Sequence, residues 1–256
     1  MIRRSTIAAS VAIALLGFSL SASLLAADAV PAAVQSAVAD TARPDADRQR
    51  DANRKPAEVI AFSGLKAGDK VADLLPGGGY FTRLFSKVVG SKGVVYALAP
   101  VRPANAPPDS RDMAAAVKAI AADPQFSNVR VSDMNAGPAE KVDLAWTSLN
   151  YHDQHNRPDA NLAAFNKRVF DWLKPGGTYI VIDHAAAKGS GKRDTSALHR
   201  VDPDLVKAEV TAAGFVFEGE SKALLNPDDD HTAQVRDSGV QGRTDQFVLK
   251  FRKPKG

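Results

Sequence analysis

The chain has 256 residues, of which 45% are hydrophobic and 24% are charged, and its formal net charge is +4. This composition is typical of a globular protein with a core large enough for one domain. Cysteine is absent, which excludes a lipoprotein anchor and disulfides. Lysine and arginine are not interleaved with aromatic residues outside the short tail at 250–255, so we expect no nucleic-acid partner.

The N-terminus has the pattern of a secretory signal peptide. Arg3 and Arg4 form a basic start, residues 7–27 carry no charge, and residues 27–29 (Ala-Asp-Ala) offer a small-residue cleavage site. We therefore predict a signal peptide over residues 1–29 and export to the bacterial periplasm, and the arginine pair also suggests twin-arginine export. The alternative is an uncleaved membrane anchor, since the uncharged run is just long enough to span a bilayer. After cleavage we expect no stable membrane insertion.

The rest of the chain divides into a lead-in and one domain. Residues 30–46 are rich in alanine, proline and polar side chains and predict a flexible lead-in. Residues 47–256 predict a single domain, in which apolar runs indicate strands and apolar residues at helical spacing indicate helices. A strand is predicted to begin at Lys70, and others to cover 93–99, 128–132, 142–149, 178–183, 215–225 and 246–252. Helices are predicted over 47–55, 56–62, 80–89, 112–122, 158–173 and 202–213.

Strands that alternate with helices predict an α/β fold. We expect a doubly wound, mostly parallel seven-stranded sheet with helices on both faces. The last two strands are joined by an irregular segment, so we expect this pair to be antiparallel. Ligands of such sheets bind at the carboxyl ends of the strands.

Three consecutive glycines follow the first predicted strand. Glycine lets the backbone approach a ligand, and the next helix presents free N–H groups, so Gly77, Gly78 and Gly79 predict a binding loop. The alternative is a tight strand-to-helix turn that binds nothing. The dinucleotide pattern G-x-G-x-x-G fails because the glycines are adjacent and Thr82 stands at the position of the last one. A phosphate-binding loop ending in Gly-Lys-Ser/Thr is also absent.

These segments resemble class I S-adenosylmethionine-dependent methyltransferases. Residues 73–79 (DLLPGGG) resemble the family's first motif, whose glycine loop packs against the methionine part of the cofactor. Residues 173–177 (LKPGG) resemble the turn before the family's fifth strand, and Asp133 matches a position that often contacts the adenine amino group. The leader, the PGGGY loop and residues 150–153 resemble a subfamily of exported predicted methyltransferases.

The resemblance implies a Rossmann-like methyltransferase fold with S-adenosylmethionine as its cofactor. The residues that it assigns to cofactor binding are Asp73, Pro76, Gly77, Gly78, Gly79, Asp133 and Asn150. Two positions depart from the family pattern. The family usually has glycine where this chain has Leu75, and it usually has an acid at the end of the second strand, where residues 96–100 supply none. That acid holds the ribose hydroxyls, so its absence weakens the case for this cofactor.

A polar segment, residues 150–156 (NYHDQHN), follows the fourth strand. In the methyltransferase fold this loop faces the methyl group and the acceptor. We predict that Tyr151, His152 and Asp153 are catalytic: His152 or Asp153 as a base and Tyr151 as a pocket wall. The alternative is a polar turn in which Asn156 or Asp159 caps the next helix.

All five histidines follow the start of the fourth predicted strand. His184 ends the fifth strand, so we expect it on the same rim as His152. A metal site from His152, His155 and His184 is conceivable, but His-x-x-His in a loop is not a zinc signature, and we predict no metal. The acidic run 228–230 is interpreted as a solvated turn.

The sequence therefore predicts an exported S-adenosylmethionine-dependent methyltransferase acting on a small molecule. One alternative is a non-catalytic ligand-binding protein on the same fold, suggested by the missing ribose acid. Another is a metal-dependent hydrolase built on the histidine rim.

Overall fold

The computed structural model describes residues 30–256 except 101, 103, 104 and 108. The predicted signal peptide lies outside the described residues. Seven strands form one sheet in the order β3-β2-β1-β4-β5-β7-β6. They are β1 Lys70–Leu74, β2 Val94–Ala99, β3 Val129–Asp133, β4 Val142–Ser148, β5 Leu173–His184, β6 Val216–Ser221 and β7 Gln246–Arg252.

The sheet confirms the predicted fold class. Strands β1 to β5 are parallel, and β7 runs antiparallel to both β5 and β6. Leu74 pairs with Thr147, and Ser148 pairs with Ile182, so β1, β4 and β5 end at the same edge of the sheet. That edge carries the candidate site.

Nine α-helices surround the sheet in the described part of the chain. They are α1 Ala32–Ala39, α2 Asp45–Arg48, α3 Asp51–Arg54, α4 Pro56–Ser63, α5 Tyr80–Val89, α6 Ala115–Ala122, α7 Tyr151–His155, α8 Leu162–Trp172 and α9 Pro203–Ala212. None of the helices in residues 30–256 that the structure describes is long and apolar enough to cross a membrane.

The two faces of the sheet bury two separate cores. In β5, Ile180 and Ile182 pack into the first core with Trp146, while Tyr179 and Val181 pack into the second. This alternation follows from the two-residue period of a strand. Residues on both faces are apolar because helices cover both sides of a parallel sheet.

Residues 30–46 do not form the flexible lead-in that the sequence predicts. Ala32–Ala39 is a helix whose Val34 is fully buried and whose Ala37 is nearly so, and it packs against α5. Asp40, just after it, forms an ion pair with Lys87 at 3.3 Å. The prediction is wrong because small alanine side chains leave a weak helical pattern, although they can still pack closely.

Several predicted boundaries also shift. Helix α8 begins at Leu162, and Asn161 caps it by accepting a hydrogen bond from the Ala164 N–H at 2.9 Å, so neither Asn156 nor Asp159 is the cap. Helix α6 begins at Ala115, three residues later than predicted. Residues 151–155 form a short helix. Strand β5 begins at Leu173, so residues 173–177 (LKPGG), expected as a turn before the fifth strand, lie within β5.

Candidate functional site

The glycine loop connects β1 to α5 through backbone conformations that favour glycine. Gly77 and Gly79 have φ of 57° and 78°. A Cβ on Gly79 would lie 2.1 Å from Ile120 Cδ1, whereas a Cβ on Gly78 would meet no atom within 4 Å. The backbone of Gly79 and its close approach to Ile120 therefore both favour glycine, whereas Gly78 leaves open space beside the loop.

Leu75 keeps the conformation of the glycine that the resemblance leads us to expect there. Its φ is 52°, in the left-handed region. The Asn150 side chain donates hydrogen bonds to the carbonyls of Leu74 and Leu75 at 3.2 and 3.3 Å, and its Oδ1 accepts one from the Thr147 hydroxyl. Asn150 thus ties the end of β4 to the glycine loop and holds the strained residue in place.

A cavity of about 210 Å³ lies against this loop, and we call it the glycine-loop cavity. Five of the predicted cofactor residues line it, together with Arg50, just before α3, and Arg54, at the end of α3, which the sequence analysis did not single out. The lining includes Arg50, Arg54, Asp73, Pro76, Gly77, Gly78 and Asn150. Gly79 and Asp133 do not line it. Asp133 instead accepts hydrogen bonds from the N–H groups of Asn135 and Ala136 at 2.7 and 3.3 Å.

Arg54 brings a cation into the glycine-loop cavity. Its guanidinium lies 4.8 Å from the ring centroid of Tyr80 and 5.6 Å from that of Phe81. Burial, reinforced by neighbouring Arg50, lowers the pKa of Arg54 to about 10. Among the described residues, Arg54 has no acidic partner in an ion pair, so its charge is available to an anionic ligand group.

Asp73 is the buried acid of the same cavity. Its carboxylate accepts a hydrogen bond from the Thr82 hydroxyl at 2.6 Å. Burial raises the pKa of Asp73 to about 7, although the Thr82 hydrogen bond and the Arg54 charge favour the ionised form. The acid predicted from the first motif therefore lies in the site and titrates close to neutral pH.

A second cavity, of about 580 Å³, adjoins the first and shares Arg50, Arg54 and Leu149 with it. We call it the histidine cavity, because His152, His184 and His199 line it. The remaining lining residues are Asn53, Asp153, Val235, Arg236, Gln241, Gly242 and Gln246. Two cavities that share a wall can hold two ligands side by side.

His152 is held by the buried carboxylate of Asp183 at the end of β5. Asp183 Oδ2 accepts a hydrogen bond from the His152 backbone N–H at 2.7 Å, and Oδ1 lies 2.8 Å from His152 Nδ1. Burial opposes a charge on the ring, but the Asp183 and Asp153 carboxylates outweigh it and raise the pKa of His152 to about 10. Asp153 Oδ1 lies 3.3 Å from His152 Nε2 and is half-exposed at the cavity.

The prediction that His184 shares a rim with His152 is confirmed. The two ring centroids are 6.2 Å apart, and His184 Nδ1 lies 2.7 Å from the Thr244 hydroxyl. Burial lowers the pKa of His184 to about 4, partly opposed by Asp183. His155 lies with Nε2 3.3 Å from Glu209 Oε2 and does not line the cavity.

Tyr151 does not lie with the other two predicted catalytic residues. Its side chain is fully buried in the second core. Its hydroxyl donates to Glu209 Oε2 at 2.9 Å and accepts from Asn166 Nδ2 at 2.8 Å. The assignment of Tyr151 as a pocket wall is therefore wrong, because consecutive residues of a helix point about 100° apart, so Tyr151 and His152 leave α7 in different directions.

His199 joins the site from a segment that follows β5. Its Nδ1 lies 3.2 Å from His152 Nε2, and its backbone is left-handed with φ of 55°. The next residue, Arg200, is fully buried and anchors the segment through an ion pair with Asp229 at 2.8 Å. His199 stands alone after residues 195–198 (TSAL), and no metal or catalytic spacing marks it in the sequence.

No family model matches the chain, and the comparison with curated proteins finds no match. Solved structures with the same fold include a SAM-dependent methyltransferase from Aquifex aeolicus, at 18% identity and a TM-score of 0.52, over 78% of this chain and 89% of that one. An arsenic(III) S-adenosylmethionine methyltransferase from Chlamydomonas reinhardtii is 18% identical, with a TM-score of 0.52, over 88% and 74%.

A third similar structure carries a different activity in its name. The [4+2]-cyclase SpnF is 18% identical, with a TM-score of 0.53, over 82% of each chain. At this level of identity the comparisons establish the class I methyltransferase fold. The reaction has to be argued from the site itself.

Proposed function

We propose that this protein is an exported S-adenosylmethionine-dependent methyltransferase that acts on a small, anionic molecule. The observation that carries the proposal is the pair of adjoining cavities at the carboxyl ends of β1, β4 and β5. One is formed by the glycine loop and the other by polar side chains. In a doubly wound sheet this edge is where ligands bind.

The residues of the glycine-loop cavity fit the amino-acid end of the cofactor. Arg54 offers the carboxylate a cation that has no ion-pair partner among residues 30–256 as far as the structure describes them. Asp73 offers a buried carboxyl for a positive group, and Gly78 leaves room for close approach. The cavity is too small for the whole cofactor, so the ligand would extend beyond it along the loop. The cofactor would supply an electrophilic methyl group.

The histidine cavity fits the acceptor. Arg50, Arg54 and Arg236 line it, and their positive charges favour an anionic small molecule. His152 and Asp153 would bind the polar group that receives the methyl group, and Asp183 would fix the orientation of His152.

A ligand-binding protein without catalysis is the second candidate. The observation in its favour is the end of β2, where Ala99 and Pro100 supply no carboxylate for a ribose. Such a protein would bind a ligand at the same edge and transfer no methyl group from S-adenosylmethionine.

Thermal unfolding of residues 30–256 with S-adenosylhomocysteine, compared with adenosine, tests the assignment of the glycine-loop cavity. Adenosine lacks the amino-acid part that Arg54 and Asp73 would bind. We expect the melting temperature to rise with S-adenosylhomocysteine and to rise much less with adenosine. Equal shifts with both ligands would contradict the assignment, and no shift at millimolar concentration would argue against the cofactor.

A further inference from the structure

Three potential metal-ligand atoms converge at the histidine cavity. They are His152 Nε2, Asp153 Oδ1 and His199 Nδ1, and all three lie within 4.8 Å of one another. The separations are 3.2 Å between the two ring nitrogens, 3.3 Å from His152 Nε2 to Asp153 Oδ1, and 3.7 Å from His199 Nδ1 to the same oxygen. We infer that these residues form a binding site for a divalent first-row transition-metal ion.

The distances match one triangular face of a coordination sphere. Metal–ligand bonds of about 2.1 Å separate neighbouring ligand atoms by roughly 3.0 Å in an octahedron and roughly 3.4 Å in a tetrahedron. Two of the three observed separations, 3.2 and 3.3 Å, lie within that range, and the third, 3.7 Å, lies just above it, so an ion needs only small side-chain movements to bind. Two imidazoles and a carboxylate suit Zn²⁺, Fe²⁺ and Mn²⁺, whereas Mg²⁺ and Ca²⁺ prefer oxygen ligands alone.

Asp183 supplies the second observation that supports a metal site. Its fully buried carboxylate lies behind His152, and Oδ1 is 2.8 Å from the ring nitrogen that points away from the cluster. In metal sites the ring nitrogen that does not bind the ion commonly donates to such a carboxylate, which fixes the tautomer and the ring orientation. His152 Nε2 is thereby directed at the other two ligands.

His199, the third ligand, is held in place by the buried contacts of the two residues that follow it. Arg200 donates to the carbonyl of Ala185 at 3.0 Å as well as to Asp229, and Val201 forms a bridge with Ala185 beside the end of β5. These contacts hold His199 against His152 although the two are 47 positions apart. The strained backbone of His199 is thus maintained by buried contacts.

Three protein ligands leave open coordination positions that face the histidine cavity. An ion there would bind an oxygen, nitrogen or sulfur atom of the small molecule. The metal site is independent of the proposed cofactor, because neither Asp153 nor His199 lines the glycine-loop cavity.

The test is calorimetric titration of Zn²⁺ into chelator-treated protein without a polyhistidine tag. We expect one equivalent to bind at micromolar affinity or tighter. We expect His199→Ala and Asp153→Asn each to weaken binding about 100-fold, and Asp183→Asn to weaken it about 10- to 100-fold. Bound Co²⁺ should give a visible absorption spectrum that His199→Ala abolishes.

His231→Ala is the matched control. His231 lies beside the acidic turn and contacts Asp245 at 3.0 Å, outside the cluster, so its loss should leave zinc affinity within about twofold. Absence of stoichiometric zinc binding, or zinc binding of unchanged affinity in His199→Ala, would overturn the proposal. His152, Asp153 and His199 would then be only a hydrogen-bonded cluster. The rise in melting temperature with S-adenosylhomocysteine, measured on the same variants, should persist. Absence of zinc binding by the native protein with this rise intact would count against the metal site alone, whereas absence of the rise in the native protein would count against the proposed function.

Discussion

Asp183 holds His152 through both of its carboxylate oxygens, one on the backbone N–H at 2.7 Å and one 2.8 Å from Nδ1. The same Oδ1 also accepts the His184 N–H at 2.8 Å. One buried carboxylate at the end of β5 therefore positions the short helix after β4 and two of the three histidines that line the histidine cavity. This relationship joins the fold to the candidate site.

The first prediction concerns this carboxylate. Replacement Asp183→Asn leaves His152 without its buried counter-charge, and we expect the free energy of unfolding to fall by about 3 kcal/mol. Chemical denaturation in the presence of a chelator measures the loss. Asp153 contacts the same imidazole ring but is half-exposed, so Asp153→Asn should lower the free energy of unfolding by less than about 1 kcal/mol. Equal losses of stability in the two variants would show that the burial of Asp183 does not determine the strength of its interaction with His152.

The second prediction separates two adjacent glycines. Gly79→Ala combines a left-handed φ of 78° with a contact of 2.1 Å to Ile120, so we expect a loss of about 1–3 kcal/mol in the free energy of unfolding. Gly78→Ala meets open space and should change it by less than about 0.5 kcal/mol. Urea denaturation of the two variants measures both changes, and the reverse order of stability would contradict the described loop.

The third prediction concerns the arginine in the glycine-loop cavity. Arg54→Met should weaken S-adenosylhomocysteine binding at least about tenfold, because it removes a charge-assisted contact. The free energy of unfolding should stay the same or rise, since the buried cation has no acidic partner in the described part of the chain.

Arg83→Met is the comparison for Arg54→Met. Arg83 touches the glycine loop through the Gly78 carbonyl at 3.0 Å and pairs with Asp47 at 2.9 Å, but it does not line the cavity. We expect it to lower stability with less than about threefold effect on affinity. A larger effect on binding from Arg83→Met than from Arg54→Met would refute the role given to Arg54.

The fourth prediction is a pH dependence caused by Asp73. Its pKa is raised from 3.8 to about 7, so the unfolded chain ionises before the folded protein does. The contribution of the protonated carboxyl to stability is full below pH 4 and is lost as the pH rises through 7. Each pH unit in that window costs up to about 1.4 kcal/mol.

Denaturation curves from pH 4 to 8 measure this contribution. The stability of the native protein relative to Asp73→Asn should decline across the window and become constant above pH 7. Thr82→Val removes the hydrogen bond that favours the ionised form, so it should raise the pKa of Asp73 further and extend the decline to higher pH. A difference that does not vary with pH would mean that Asp73 is ionised throughout.

The parts of the fold that the sequence predicts are those with local signals. An apolar run that ends in adjacent glycines predicts both β1 and the loop after it, and strand ends alone predict that His184 lies near His152. Arg54 and His199 could not be assigned in this way. Each reaches the site through long-range contacts: α3 packs over Tyr80, and the buried Arg200 anchors the segment that carries His199.

Sequence patterns also misassigned residues whose side-chain direction depends on the local backbone. Tyr151 and His152 are adjacent in a polar segment, and an irregular loop there would allow both to face the ligand. The segment forms a helix, so Tyr151 enters the second core and bonds to Glu209. At Leu75 the backbone has the left-handed conformation that glycine favours, although the residue is leucine, so the residue type alone did not predict the conformation.

The most direct test of cofactor binding is a calorimetric titration of residues 30–256 with S-adenosylmethionine, for the native protein and Gly78→Trp. We expect binding at micromolar affinity in the native protein. We expect no measurable binding in the variant, whose side chain would occupy the open space beside the loop without disturbing the fold. Absence of binding in the native protein at millimolar cofactor, or equal binding in both, would contradict the assignment of the glycine loop as the cofactor site.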